Sequence, residues 1–429
     1  MNYYSLNRTA PKVSFREAVI NGLAPDKGLY FPETIRPLPS AFFEEIEVTP
    51  ADAIALEAIK QFVGDDIPED DLRHIVRETL SFDFPTVQID DPVFSLELYH
   101  GPTMAFKDVG ARFMARCLAH FNKGETMHNT VLVATSGDTG GAVASGFLDV
   151  DGVDVVILYP SGKVSDIQEK QLTTLGQNIT ALEVDGNFDD CQAMVKKAFL
   201  DDLLKNKNLT SANSINIARW LPQMFYFFFA YKALKKFSRP LVVSCPSGNF
   251  GNICAGVMAK KLGLPITHFV AATNANDTVP RFLENWRYEP DATVATLSNA
   301  MDVSDPSNFV RIREMYQDDK SAFLRDFSSY SFTDAQTRKA MQEVFSRTGY
   351  LLEPHGAVGY LGLTKELEKH PEAIGVLLET AHPVKFLDSV TEILGVTPAI
   401  PPQIEAVLHK EKCSVKIKTY DDLKAFLLR

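Results

Sequence analysis

The pattern of apolar and polar positions changes character near residue 90. Before that point, the turn-rich stretch GLAPDKGLYFPETIRPLP precedes two segments with helical spacing of apolar residues, ADAIALEAIKQFV and DDLRHIVRETL. After it, runs that are apolar on both faces, such as TVLVAT, VDVVILY and LVVSC, alternate with helix-period segments. Strands buried on both faces are typical of a parallel sheet covered by helices. The pattern therefore predicts an α/β fold preceded by a mainly helical N-terminal unit.

The most apolar segment is WLPQMFYFFFAYKAL, residues 220–234. It is too short to cross a bilayer, because a spanning helix needs about 20 apolar residues. Its aromatic residues recur at helical spacing, which predicts either a buried core helix or a contact between subunits.

Composition and charge narrow the function classes. The 429 residues suggest two or three domains, and 43 basic against 55 acidic residues give a net charge of −12. Such a balance argues against sequence-independent nucleic-acid binding, so an anionic substrate would need a local positive site. The N-terminal residues lack the apolar core of a secretory signal, and the five cysteines form no C-x-x-C pair. We therefore expect a cytoplasmic protein with reduced, buried thiols. The zincin, P-loop and G-x-G-x-x-G fingerprints are absent from the sequence.

One lysine has an unusual setting. In GPTMAFKDVGARF, Lys107 directly follows Met104, Ala105 and Phe106 and precedes Asp108. Desolvation lowers the pKa of an amine and prepares it for Schiff-base chemistry. Alternatively, Lys107 is a helix lysine whose stem covers Phe106. Asp108 is interpreted as the start of the following helix rather than as a base.

Two strand-to-helix turns have the composition of anion sites. In TSGDTGGA, residues 135–142, small residues leave backbone N–H groups open at a helix start, which favours an anion. The alternative is a simple N-cap by Ser136 or Asp138. In CPSGNFGNICAG, residues 245–256, Gly248 and Gly251 allow a phosphate to approach the backbone closely, although a glycine-rich packing turn has the same composition.

A third buried strand ends in Glu379, Thr380, Ala381 and His382. In open α/β sheets, ligands bind at the carboxyl ends of strands, where all three turns fall. A Schiff-base lysine together with a phosphate that is held but not transferred implies pyridoxal 5'-phosphate as the cofactor.

Six segments, in the order GPTMAFKDVGARF, ATSGDTGGA, YPSGKVSDIQEKQ, SGNFGNICAG, SNAMDVSDPSNF and ETAHPVKF, resemble the threonine synthases. The N-terminal stretch YYSLNRTAPKVSFREAVINGLAPDKGLYFP is similar to the first domain of their longer, bacterial and fungal branch. The resemblance implies fold type II: two open, twisted, mostly parallel α/β domains with the cofactor between them. The implied boundaries are 1–90 for the helical N-terminal domain, 91–106 with 226–429 for the large domain, and 107–225 for the small domain.

The same resemblance implies roles for individual residues. Lys107 would bind the cofactor covalently and act as the catalytic base, and Thr380 would hydrogen-bond the pyridine nitrogen. Lys163, where the family often has arginine, would bind the substrate phosphate, although a solvated lysine fits that turn equally well. The amides of the cup, which we define as Gly248, Asn249, Phe250, Gly251 and Asn252, would hold the cofactor phosphate. The substrate loop, defined as Ser136, Gly137, Asp138 and Thr139, would bind the substrate carboxylate.

The implied reaction converts O-phospho-L-homoserine and water to L-threonine and phosphate by γ-elimination and β-addition. The expected partner is that small molecule, without nucleic acid or membrane, in a monomer or small homo-oligomer. Two rivals stay open: a dehydratase or phospho-amino-acid lyase on the same fold, and a non-catalytic cofactor carrier. His355 and Asn299 either line the cleft or pack in the core.

Overall fold

The structure is a computed structural model that describes residues 1–124 and 128–429. Its strands are β1 (Tyr3–Ser5), β2 (Tyr30–Pro32), β3 (Thr86–Asp90), β4 (Val93–Glu97), β5 (Asn129–Ala134), β6 (Val153–Pro160), β7 (Ile179–Val184), β8 (Leu209–Ser211), β9 (Leu241–Pro246), β10 (His268–Thr273), β11 (Phe327–Ser331), β12 (Ile374–Glu379) and β13 (Val415–Ile417).

The α-helices surround these strands. They are α1 (Phe15–Asn21), α2 (Ser40–Glu44), α3 (Ala51–Val63), α4 (Glu69–Thr79), α5 (Lys107–Asn122), α6 (Asp138–Phe147), α7 (Asp166–Thr173), α8 (Phe188–Phe199), α9 (Ile217–Trp220), α10 (Met224–Leu234), α11 (Gly251–Lys261), α12 (Thr278–Asn285), α13 (Phe309–Tyr316), α14 (Lys320–Asp326), α15 (Asp334–Thr348), α16 (Pro354–Leu367), α17 (Leu387–Leu394), α18 (Pro402–Leu408) and α19 (Tyr420–Leu427).

Two mostly parallel sheets form the body of the protein. The six-stranded sheet has the order β11-β10-β9-β12-β4-β3, and only its edge pair β3–β4 is antiparallel. The five-stranded sheet has the order β13-β7-β6-β5-β8 and is parallel throughout. The predicted α/β class is confirmed. Because β9 and β12 are parallel neighbours, the turns that follow them lie at the same edge of the six-stranded sheet.

The first eighty residues contain α1 to α4 and the two-stranded sheet β1-β2, so this part is mainly helical as predicted. Two strands pair across the predicted domain boundaries. β3, in the predicted N-terminal domain, joins β4 of the six-stranded sheet, and β13, in the predicted large domain, joins β7 of the five-stranded sheet. Sheet membership therefore differs from the predicted division at these strands, and the division itself stays a prediction.

The aromatic segment forms α10, which is a core helix. Phe225, Phe227 and Phe228 are fully buried, and α10 packs against α3 and α11. Burying each such ring stabilises the fold by about 1.5–3 kcal/mol. Within the described ranges, no helix has the length and apolarity that crossing a membrane requires. Of the cysteines, Cys413 is exposed, so the prediction that all five are buried is wrong for that residue.

Candidate active site

Lys107 is the first residue of α5, and its position is fixed by the chain that follows β12. The segment 104–106 runs antiparallel to 380–382, with the Phe106 N–H donating to the Thr380 carbonyl oxygen at 2.8 Å. The His382 N–H donates to the Met104 carbonyl oxygen at 3.1 Å. Lys107 and Thr380, which are 273 positions apart in the sequence, are therefore held on neighbouring segments.

Asp108 stabilises the turn before α5. One of its carboxylate oxygens accepts a hydrogen bond from the Thr103 N–H at 2.9 Å, and the other accepts one from the Thr103 hydroxyl at 2.5 Å. Both oxygens are thus engaged and the residue is buried. This agrees with its interpretation as part of the helix start.

A buried charge cluster surrounds the amine of Lys107. The Asp138 carboxylate lies 3.7 Å from Lys107 Nζ and 2.6 Å from Lys385 Nζ. Lys385 has no exposed side-chain surface and also donates to the Thr103 carbonyl oxygen at 2.9 Å, whereas the Lys107 side chain keeps 19% of its surface exposed. Gln168 donates to Asp138 at 3.0 Å. One carboxylate is therefore shared by two lysines, of which only Lys107 is accessible to a ligand.

The electrostatics favour a reactive amine at Lys107. Desolvation is the main cause that lowers the pKa of Lys107; Asp138 opposes it, and the positive charge of Lys385 adds to it. Burial raises the pKa of the Asp138 carboxyl, but the two lysines outweigh it and hold that pKa well below its usual range. Asp138 is therefore ionised, and a neutral Lys107 amine is a nucleophile and a base.

The substrate loop presents unpaired amides at the start of α6. In the described chain, the N–H groups of Ser136, Asp138 and Thr139 have no acceptor, whereas the Gly137 N–H donates to Thr135 Oγ1 at 2.9 Å. Gly137 has φ 135°, and a Cβ there would lie 2.4 Å from the side chain of Gln168, so only glycine fits. Neither Ser136 nor Asp138 caps the helix with its side chain, so the simple N-cap interpretation is wrong. The loop suits a carboxylate or phosphate.

The cup after β9 also presents unpaired backbone N–H groups, over a longer run of residues. None of the five successive N–H groups of residues 248–252 has an acceptor in the parts of the chain that are described. On either side the amides are paired: the Ser247 N–H donates to the Ala272 carbonyl oxygen at 2.8 Å, and the Ile253 N–H donates to Asn252 Oδ1 at 2.8 Å. Such a run at a helix start fits a phosphate monoester, as pyridoxal phosphate requires.

The cup is held by its neighbours. Asn249 donates to Ser214 Oγ at 2.9 Å and accepts from the Ser307 N–H at 2.7 Å. Phe250 adopts the left-handed conformation, with φ 59°, and its buried ring packs edge-on against Phe309. This anchoring keeps the open amides in place before a ligand arrives.

Gly248→Ala is expected to weaken cofactor binding by roughly 10–100-fold, the cost of one or two charge-assisted hydrogen bonds. A Cβ at Gly248 would lie 2.7 Å from Met301 Cα, a backbone atom that cannot rotate away, so the cup must shift. The measurement is a titration of the cofactor-free protein with pyridoxal phosphate. The matched variant is Gly251→Ala, whose Cβ would meet only side-chain atoms at 3.3 Å or more, and a smaller effect is expected. Equal affinities in the two variants would contradict the cup assignment.

The hydroxyl of Thr380 is available to a ligand. The residue is 6% exposed, and its hydroxyl has no hydrogen-bond partner within the described residues. A neutral hydroxyl would accept or donate a hydrogen bond without holding the ring nitrogen protonated.

Beside Thr380, two glutamates and a histidine form a buried network. The Glu353 N–H donates to Glu379 Oε1 at 3.1 Å, and burial together with the Glu353 charge raises the pKa of Glu379 well above its usual value. His355 Nδ1 lies 2.5 Å from Glu353 Oε2, and its Nε2 accepts from the Ala300 N–H at 3.1 Å. Both nitrogens of His355 are thus engaged in positioning the segment beside the cup, while Asn299 is exposed.

The predicted residues differ in whether contacts connect them to one another. Contacts link Lys107, the substrate loop and Thr380, but Lys163 lies exposed on the turn after β6, and its side chain makes no polar contact in the described chain. The residue that sequence reasoning missed is Lys385. Its signal was available, because Lys385 follows Val384 and precedes Phe386, the same apolar setting that singled out Lys107.

Comparison with protein-family models gives three matches along the chain. Residues 83–379 match a model described as "Pyridoxal-phosphate dependent enzyme". Residues 2–80 match "Threonine synthase N terminus", and residues 356–427 match "Threonine synthase, C-terminal". Lys107 and the cup lie within the first match, and Thr380 directly follows its last residue.

Relatives match over almost the whole length. The threonine synthase of Escherichia coli (strain K12) is 47% identical over 409 residues, which cover 94% of each chain. The crystal structure of threonine synthase from Escherichia coli superposes with a TM-score of 0.93 at 43% identity, covering 100% of this chain and 99% of that one. The structure of PLP-bound threonine synthase from Brucella melitensis also gives a TM-score of 0.93, at 35% identity, with 100% and 98% covered.

Proposed function

The chain belongs to the threonine synthase family, and on that basis we propose that it converts O-phospho-L-homoserine and water to L-threonine and phosphate. The enzyme is a pyridoxal-phosphate-dependent lyase of threonine biosynthesis. The observation that carries the proposal is the desolvated amine of Lys107, which lies 3.7 Å from a buried carboxylate on a loop with open amides.

Three elements would hold the cofactor. Lys107 Nζ would bind it covalently, the open amides of the cup would donate hydrogen bonds to its phosphate oxygens, and the Thr380 hydroxyl would bond its ring nitrogen. When bound, the cofactor supplies an electron sink for negative charge that develops on the substrate carbons. The unpaired amides and the unpaired hydroxyl support this arrangement, because each lacks a partner in the described chain.

Lys107 would carry the protons of the reaction. Released from its covalent bond by the substrate amine, Lys107 Nζ would remove one proton from the substrate α-carbon and then one from the β-carbon, so that phosphate leaves from Cγ with its bonding electron pair. It would return protons to Cγ and, after the hydroxyl of water has added at Cβ, to the α-carbon. The lowered pKa of Lys107 supports a base that works near neutral pH. Asp138, ionised and held by Lys385, would stabilise the protonated form between transfers.

The substrate loop would bind the substrate carboxylate. The free amides of Ser136, Asp138 and Thr139 would donate to it, and Gly137 would give the loop its backbone turn. The Asp138 side chain has a separate role, because its carboxylate is already paired with Lys385.

For the substrate phosphate we propose Lys163, which adjoins α7, the helix that contacts Asp138 through Gln168. Lys163→Ala is expected to raise the KM for phosphohomoserine by about 10-fold, since one charge-assisted hydrogen bond contributes about 1.5 kcal/mol. Steady-state kinetics measure it, with the exposed Lys123, which follows the far end of α5, replaced by alanine as the control. An unchanged KM would remove Lys163 from the phosphate site.

Product analysis tests the function as a whole. The purified protein, incubated with pyridoxal phosphate and phosphohomoserine, is expected to release phosphate and threonine in equal amounts. Accumulation of 2-oxobutyrate would instead identify a dehydratase or lyase that eliminates without adding water. A protein that binds the cofactor and turns over neither substrate would be a carrier.

We further propose that the enzyme works in the cytoplasm, as a monomer or small homo-oligomer, without nucleic acid. The net charge of −12 supports the last point, because a polyanion would be repelled.

A further inference from the structure

Two histidines and a glutamate meet on the six-stranded sheet, at the edge opposite the active-site turns. His268 is the first residue of β10, so it lies at the amino end of that strand. Glu366 is in the last turn of α16, and His370 follows one helical turn later. His268 and Glu366 are buried, and His370 is 32% exposed. None of the three takes part in the proposed reaction.

The separations match those of a tetrahedral metal site. Glu366 Oε1 lies 3.3 Å from His370 Nε2 and 3.6 Å from His268 Nε2, and one ligand atom from each residue falls within 4.8 Å of the others. A tetrahedral Zn²⁺ with bonds of about 2.0–2.1 Å holds its ligand atoms about 3.3 Å apart. The edge from the carboxylate to His370 has this length, and the edge to His268 is about 0.3 Å longer.

Hydrogen bonds at their other polar atoms orient His268 and Glu366, and a carboxylate lies near the outer nitrogen of His370. His268 Nδ1 lies 3.1 Å from the Arg325 carbonyl oxygen, and His370 Nδ1 lies 3.7 Å from a carboxylate oxygen of Glu372. A protonated Nδ1 on each ring directs the Nε2 lone pair toward a metal, and at His268 the ion would replace the contact of Nε2 with Ser328 Oγ at 3.1 Å. Glu366 Oε2 accepts from Ser328 Oγ at 2.8 Å, which fixes the carboxylate with Oε1 toward the histidines.

The two oxygens of Glu366 have different surroundings. Oε2 accepts hydrogen bonds from the Tyr330 and Ser328 hydroxyls and lies 3.5 Å from Lys369 Nζ. Oε1 is the oxygen that faces the two imidazoles. A divalent cation at Oε1 would therefore lie on the side of the carboxylate away from Lys369.

We propose that His268, Glu366 and His370 bind one Zn²⁺ ion, with a water molecule as the fourth ligand. Two imidazoles and a carboxylate are a ligand set that Zn²⁺ accepts, and the exposed part of His370 leaves the fourth position open to solvent. The ion would join the start of β10 to the end of α16. The first turn of α16 contains His355, which positions the segment beside the cup. The ion would therefore stabilise the helix that supports the cofactor site.

The test uses the tag-free holoenzyme after treatment with a chelator. Calorimetric titration with ZnCl₂ is expected to show one ion per chain, and titration with Co²⁺ is expected to give the strong visible bands of a four-coordinate ion. His370→Ala should weaken Zn²⁺ binding at least ~100-fold, since loss of even an outer partner costs 10–100-fold. His370→Cys, which supplies a thiolate, should retain binding and add a thiolate-to-Co²⁺ absorbance in the near ultraviolet.

The chain offers a matched control. His74 Nε2 lies 3.3 Å from Glu78 Oε1 with the same four-residue spacing on α4, and no third histidine, cysteine or acidic residue among the described residues completes a metal site with them. His74→Ala should therefore leave Zn²⁺ affinity unchanged. The proposal is overturned if the chelated holoenzyme binds no Zn²⁺, or if binding survives in His370→Ala, which would locate the ion elsewhere, for instance on the cofactor.

Discussion

Lys107→Ala is expected to abolish threonine formation and to remove the visible absorbance of covalently bound cofactor. The amine is the one group proposed both to bind the cofactor and to move the substrate protons, so its loss removes two functions at once. The expected fall in kcat is more than about 10³-fold, because a positioned general base alone contributes 10²–10⁴-fold. Absorbance spectra and phosphate release measure the two effects separately.

Two variants make this prediction specific. Lys107→Arg keeps a positive charge beside Asp138, 3.7 Å away in the native chain, but cannot form the covalent bond, so it should be as inactive as the alanine variant. Lys123→Ala removes an exposed lysine and should retain both signals. A Lys107→Ala protein that still made threonine would show that another residue is the base.

The fold class was predictable because strands in the interior of the two main sheets, such as β5, β9, β10 and β12, are buried on both faces. TVLVAT and LVVSC became β5 and β9, interior strands of the two mostly parallel sheets, and the turns after them became the substrate loop and the cup. The aromatic segment became α10 for the same reason, since its side chains had to be buried. In each case a local pattern of apolar residues determines the local structure.

What the sequence did not reveal depends on contacts between distant segments. The strand at 415–417 is three residues long and largely exposed, and its position beside β7 follows from tertiary pairing rather than from periodicity. Gln168, whose side chain explains why position 137 is glycine, lies 30 residues from Asp138, with which it bonds. Likewise, the pairing of segment 104–106 with 380–382 has no counterpart in local sequence.

The Asp138–Lys385 ion pair connects the substrate loop with the segment that follows β12. Because Lys385→Met breaks this buried pair, the variant is expected to be destabilised by about 3–5 kcal/mol. Methionine fills a similar volume but leaves the buried Asp138 carboxylate with the hydrogen bond from Gln168 and a single, more distant cation, Lys107 at 3.7 Å. The measurement is urea unfolding of the holoenzyme. The double variant Lys385→Met/Asp138→Asn removes the uncompensated charge as well, so it should be more stable than Lys385→Met alone.

The pH dependence of stability distinguishes this ion pair from simple packing. The folded-state pKa of Asp138 lies well below its unfolded value of about 3.9, so its contribution is present above that pH and is lost as the pH falls toward the folded-state pKa. In Lys385→Met the charge that lowers the pKa of Asp138 most is gone. The difference in the free energy of unfolding between the native protein and the variant should therefore shrink as the pH falls below about 4. A difference that stays constant over this range would mean that Lys385 stabilises the site by packing, and that Lys107 alone keeps Asp138 ionised.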